Sequence, residues 1–269
     1  MCLPVRMMII LILGLYYQSA VGQTIITAQT KFDQTSREPN FDTPEYILPC
    51  NKSDVKLDVC IQKSFNHLRP YLVKGISDLD LPPIEPLTIP ELGMKNDQGA
   101  VRVHALFSNI TAFGPGNYSI TKVRVNITTL RLDLHLKIPK IDLQGHYKVV
   151  GNVLLFPIQS EGDFWASFGD VVALAKVQGV EEIRDGISYM RIARLLVDFN
   201  LDTAAFNVVD QLKINNVFGQ AMNKFLNENA KEIIDEMKPA ARSSIAKHFQ
   251  SFLNTAFTKV PMKVWLRDN

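Results

Sequence analysis

Residues 217–257, VFGQAMNKFLNENAKEIIDEMKPAARSSIAKHFQSFLNTAF, decide how the chain folds. At helical spacing Met222, Leu226, Ala230, Ile233 and Met237 share one face, and Ala241, Ile245, Phe249, Phe252 and Ala256 resume it after Pro239. Proline lacks an amide proton and crowds the preceding turn, so the spacing predicts a long amphipathic helix kinked at Pro239 rather than ended there. Such a stripe needs an apolar surface to lie against.

The preceding hundred or so residues supply that surface as strands. Leu130, Leu132, Leu134, Leu136 and Ile138 alternate with Arg131, Asp133, His135 and Lys137, a strict period of two with one side for a core and one for water. Val123, Val125 and Ile127 alternate with Lys122, Arg124 and Asn126 in the same way. Tyr147, Val149, Val153 and Leu155 form another face, and Leu195, Val197, Phe199 and Leu201 a fourth. Gly145 and Gly151 relax the backbone between bulky neighbours. In 101–113 and 164–177 the alternation slips by one residue, as a bulge in a curved sheet produces. No repeat of fixed period and no internal linker divides this region, so one antiparallel meander is expected.

Ahead of the strands, Val55, Val59, Phe65, Leu68 and Leu72 predict a first helix over 54–76, with Asp54 at its start and Pro70 as a bend. Pro82, Pro83, Pro86 and Pro90 then impose extended backbone, either a docked connection or a sheet edge. Residues 23–45 are polar and aperiodic and read as an extended arm.

Residues 1–22 carry the marks of a secretory leader: Arg6, an apolar run from Met7 to Tyr17, and Ala20-Val21-Gly22 before the cut. The apolar run is too short to span a bilayer and no later segment approaches the length, so no stable membrane insertion is expected. Cleavage leaves residues 23–269 as a single domain and removes Cys2, so that Cys50 and Cys60 remain to pair in an oxidising compartment. Sequons at Asn51, Asn109, Asn117 and Asn126 suit a glycosylated extracellular protein. The formal charge is +2 for the whole chain and +1 without Arg6, which gives no field for nucleic acid or anionic membrane.

Catalytic patterns are missing from the sequence. There is no G-x-S-x-G elbow, no H-E-x-x-H pair and no phosphate loop, and His67, His104, His135, His146 and His248 lack metal-ligand spacing. A triad assembled from distant residues stays open at this level. No cofactor is expected.

Three short stretches together resemble the takeout and juvenile-hormone-binding proteins of insects. They are Tyr147-Lys148-Val149-Val150-Gly151-Asn152-Val153-Leu154-Leu155-Phe156-Pro157-Ile158 with Gly162, then Asn216-Val217-Phe218 with Asn223-Lys224-Phe225-Leu226-Asn227-Glu228-Asn229, and finally Lys238-Pro239 with Lys259-Val260-Pro261. Members often carry a tryptophan where this chain has Ala230, which enlarges or reshapes the space that side chain fills. The resemblance implies an α+β, TULIP-like fold: a long, strongly curved antiparallel sheet wrapped around a long C-terminal helix, with an N-terminal helix and an elongated apolar tunnel. It also implies a secreted, non-enzymatic carrier of a hydrophobic small molecule, with an unidentified receptor as a further partner; links to daily rhythm come from the family alone.

On pattern alone the apolar stripes are ordinary core, and the resemblance turns the balance toward a guest. The expected lining is Leu130, Leu132, Leu134, Leu136, Tyr147, Val149, Val153, Leu155, Val197 and Phe199 from the strands, with Phe218, Met222, Phe225, Leu226, Ile233 and Met237 from the helix. Thioethers adapt to irregular shapes and rings give area at little entropic cost. The Tyr147 hydroxyl meets either an epoxide, ester or carboxylate on the guest or a backbone partner. A lipid-active hydrolase and a signalling protein with a filled core are the alternatives.

Overall fold

The structure, a computed structural model, describes residues 42–153, 156–210 and 216–268, with side chains given except at 156 and 216–218. The leader and all but 42–45 of the polar arm lie outside these residues. Asp42–Asn269 gather into one compact unit. Its strands are β1 (Cys50–Asn51), β2 (Leu87–Asn96), β3 (Val101–Phe113), β4 (Ser119–Asn126), β5 (Arg131–Val153), β6 (Phe156–Arg184), β7 (Ile187–Asn200), β8 (Thr203–Asp210) and β9 (Leu266–Arg267). Its helices are α1 (Leu57–Lys74), α2 (Asn216–Glu228), α3 (Ala230–Phe257) and α4 (Met262–Trp265).

Two very long strands organise the sheet. β5 and β6 pair along their shared length from Arg131↔Gln178 to Val153↔Phe156. At one end β4 flanks β5 and β7 flanks β6; at the other, β3 with β2 outside it flanks β5, and β8 flanks β6. The proline-rich segment is a docked connection as far as Pro86, with Leu81 and Ile84 buried, and becomes a sheet edge from Leu87. Pro90 lies within β2 between Ile89↔Ile110 and Glu91↔Ser108, and an outer strand can spare its missing donor.

The expected slips in alternation are present. Register shifts between Ser108 and Thr111, around Asn109 at φ 51°. Asp170, also at φ 51°, stands opposite Pro139, and there the buried set of β5 changes from even positions such as Leu134 to odd ones such as Tyr147. Asn and Asp tolerate the left-handed conformation that such a reversal needs. Glycine permits close approach elsewhere: a Cβ at Gly151 would stand 2.2 Å from the Arg102 carbonyl oxygen, and one at Gly162 2.0 Å from that of Val209.

Carboxamides attach the helices to the sheet edges. On β4, Asn66 Oδ1 accepts from Ile120 N–H at 2.9 Å and its Nδ2 donates back to Ile120 O at 3.0 Å, while Gln62 Nε2 donates to the carbonyls of Ile120 and Thr121. On β7, Asn254 takes Ile192 N–H at 2.7 Å and returns to Ile192 O at 3.1 Å, while Gln250 serves Ile192 O and Ala193 O. Both clamps grip a register shift in an edge strand, and both use Gln and Asn four residues apart on one helix. α2 repeats the device on β8, with Asn223 on Val208 and Asn227 on Phe206. These amides occupy backbone groups that a further strand would otherwise pair with.

The predicted helix over 217–257 is present and runs on through Pro239, but it carries a further break. It breaks at Asn229, between α2 and α3, and Pro239 lies inside α3. Asn229 turns its Nδ2 back to Phe225 O at 2.8 Å, a local bond that competes with helix continuation. α1 runs Leu57–Lys74 with Pro70 inside it, and Asp54 Oδ1 accepts from Lys56 N–H just before its start. Cys50 and Cys60 are disulfide-bonded and tie β1 to α1, while β1 pairs with β9 and so brings the two ends of the unit together.

Candidate functional site: the inner face of the long sheet

The described strand residues expected to line a guest divide between the two ends of the sheet. Leu132, Leu134 and Leu136 of β5 and Val197 of β7 join a packed cluster centred on Ile120, Val123, Ile192 and Leu195, closed by Leu57 and Ile61 of α1 and Ala246 of α3. Leu130 packs there too, but from a turn rather than from the strand face expected of it: its φ is 49° and β5 begins at Arg131. This end is core made of protein side chains.

The other end differs. Val153 of β5 is buried with Val101 and Val103 of β3, and against them lie Val149, Ile158, Phe225, Ile233 and Met237, all only partly buried. Beside them Tyr147, Ile110, Phe164 and Ala166 are buried, with Phe168, Phe206 and Val208 partly so. The rings interlock edge to face, Phe107 to Phe164 at 5.1 Å and Phe168 to Phe206 at 5.9 Å. From Gly219 to Glu228, α2 has no fully buried residue, although Met222, Phe225 and Leu226 form an apolar side. Phe199 is half-buried under Lys238, whose Nζ lies 5.8 Å from the ring centroid. Leu155 and the Phe218 side chain lie outside the described residues. Ala230 is buried at the start of α3.

Within the protein, the partner of Tyr147 is a side chain and not the backbone. Its hydroxyl is 2.7 Å from Ser160 Oγ, which donates to Asp210 Oδ2 at 2.7 Å. Burial, then the carboxylates of Asp210 and Asp163, push its pKa up against a lowering contribution from Ser160, so the phenol stays protonated. The bonds described for Ser160 reach a phenol and a carboxylate, an arrangement that fixes hydroxyl direction rather than generating a nucleophile through an imidazole. The sequence pointed to Tyr147 and missed Ser160 and Asp210, which alternation placed on no apolar face.

An open cleft of about 750 Å³ beside the start of α3 is lined by polar residues including Asn96, Glu232, Asp235 and Glu236, and is distinct in character from the apolar inner face. The five histidines are dispersed; His67 bonds Glu45 O, while His104 and His146 pair with Asp97 and Asp163. Among the described residues no group of three His, Cys, Asp or Glu could hold a metal ion, and no helix is long and apolar enough to cross a membrane. The sequon residues Asn51, Asn109, Asn117 and Asn126 are all exposed.

A curled antiparallel sheet with helices clamped to its edges and an apolar inner face defines a TULIP-like protein. Comparison with known proteins agrees. The crystal structure of Takeout 1 from Epiphyas postvittana superposes with a TM-score of 0.69 at 19% identity, covering 81% of this chain and 98% of that one. Circadian clock-controlled protein daywake is 19% identical over 79% of this chain and 85% of its own length in Drosophila yakuba, and 20% identical over 70% and 75% in Drosophila melanogaster. The family described as Haemolymph juvenile hormone binding protein matches residues 25–267. The chain belongs to that family.

Proposed function

We propose that this protein is a secreted, non-enzymatic carrier that holds one elongated hydrophobic molecule, a terpenoid or related lipid, between α2, the first half of α3 and the β3–β5–β6–β8 end of the sheet. The observation that supports it is incomplete coverage: Phe225, Ile233 and Met237 face buried Val101, Val103 and Val153, yet stay partly open, and α2 has no fully buried residue between Gly219 and Glu228. An apolar guest would complete that burial. Each buried methylene contributes about 0.8 kcal/mol, so a chain of roughly a dozen carbons offsets the cost of immobilising it. The family description, which names a hormone-binding protein of haemolymph, points the same way. Secretion rests on the leader-like start and accords with the disulfide and the exposed sequons.

The test is titration of the purified secreted chain with a fluorescent long-chain lipid. Saturation at one probe per chain, reversed by unlabelled lipid, is expected; a linear, non-saturable signal would exclude carriage.

A further inference from the structure

Three strands each contribute one member to the polar row on the inner face: Tyr147 from β5, Ser160 from β6 and Asp210 from β8. The oxygens are spaced 2.7 Å and 2.7 Å, and Tyr147 is 7% exposed among Ile110, Phe164 and Ala166. The direction of every proton follows from what each group can give. A carboxylate only accepts, and a hydroxyl has a single proton. The Ser160 proton therefore goes to Asp210, and the Tyr147 proton goes to Ser160. What the phenol has left to offer is its lone pairs.

We propose that this relay, on the carrier reading above, is the polar subsite of the inner face and selects a guest whose end carries an O–H or N–H donor, such as a long-chain or terpenoid alcohol. An end that only accepts would set its oxygen against the Tyr147 oxygen with no proton between them, and a buried acceptor without a partner is costly. A carboxylate end fares worst, since it also meets the charge of Asp210. The sequence suggested that the Tyr147 hydroxyl meets an epoxide, ester or carboxylate, or else the backbone; here Ser160, whose own proton goes to Asp210, takes the Tyr147 proton and narrows the choice to donor-bearing ends.

The experiment uses the full secreted chain carrying a fluorescent lipid, displaced in turn by hexadecanol, methyl hexadecanoate and hexadecanoate. Hexadecanol is expected to displace at a roughly five- to tenfold lower concentration than the ester, the worth of one buried hydrogen bond, and the acid to be weakest. Tyr147→Phe should bring hexadecanol down to the level of the ester and leave the ester unchanged. Asp210→Asn should do the opposite, because its amide can donate to Ser160, which frees the Tyr147 proton to turn toward the guest, and the ester should gain. Equal displacement by all three on the natural protein, or a preference for ester or acid, overturns the proposal whether or not the variants fold. A probe that never binds the natural protein overturns the carrier reading itself.

Discussion

Asn66 and Asn254 do for this sheet what a neighbouring strand would do, each satisfying both backbone groups of one edge residue, Ile120 or Ile192. Ile192 is fully buried, so the loss of its partner cannot be made good by water. In Asn254→Ala, Gln250 still serves the Ile192 carbonyl and the orphan is the N–H; an unsatisfied buried donor costs about 1–3 kcal/mol. Urea unfolding is expected to show that loss, and Asn254→Asp to show a larger one, because it sets a carboxylate oxygen toward the Ile192 carbonyl. Unchanged midpoints for both would contradict the clamp. His248, in the same helix, gives a pH signature. Burial disfavours its imidazolium and holds its pKa below the ordinary 6.5, so the folded chain takes up that proton less readily than the unfolded one. Its contribution to stability is complete above pH 6.5 and is lost as pH falls through the lower folded value. The fall in melting temperature as the pH drops from 6.5 to the lower folded value should therefore be shallower in His248→Gln than in the natural protein; parallel curves over that window would exclude a contribution from His248.

At the scale of elements, α2 is held by carboxamides more than by burial. Replacing Asn223 and Asn227 together by Ala removes its bonds to Val208 and Phe206, and amide hydrogen exchange is expected to accelerate through α2 while the amides around Ile192 keep their protection. Uniform acceleration would mean that α2 is integral to the fold. Met222→Trp adds bulk on the same helix's partly covered side; it should weaken displacement by long guests and leave secretion nearly normal, and unaltered affinity would show that Met222 faces away from the guest. The helices and long strands were legible because burial on one side writes a period of 3.6 or 2 into the chain, and even the slips at Asn109 and Asp170 left a mark in the alternation. Other features left none. Leu130 continues an alternation that the backbone does not follow, since the turn before β5 happens to place an apolar residue in phase. Asn229 looks like any polar helix position until its side chain is seen bonding Phe225 O. The Gln62–Asn66 and Gln250–Asn254 pairs read as solvated helix faces, because their partners are backbone groups more than fifty residues away. Tyr147 was visible, yet the direction of its proton is set by Asp210, which only the pairing of β6 with β8 brings near.

Across the whole molecule, the two ends of the sheet have opposite characters. One is packed by α1, α3 and α4 and bound by the disulfide and the β1–β9 pairing; the other presents apolar side chains that its helices leave partly uncovered. Replacing Cys50 and Cys60 by Ser should therefore lower stability by about 3 kcal/mol through the freed loop, without altering lipid affinity measured well below the melting temperature. A parallel loss of affinity would mean that the two ends are not independent. The most direct test of the guest itself is a crystal of the secreted chain soaked with a terminally brominated long-chain alcohol. One anomalous bromine peak is expected on the inner face, beside Phe225, Ile233 or Met237. A peak found only on the outer surface, with those side chains closed against Val101 and Val153, would contradict the carrier reading.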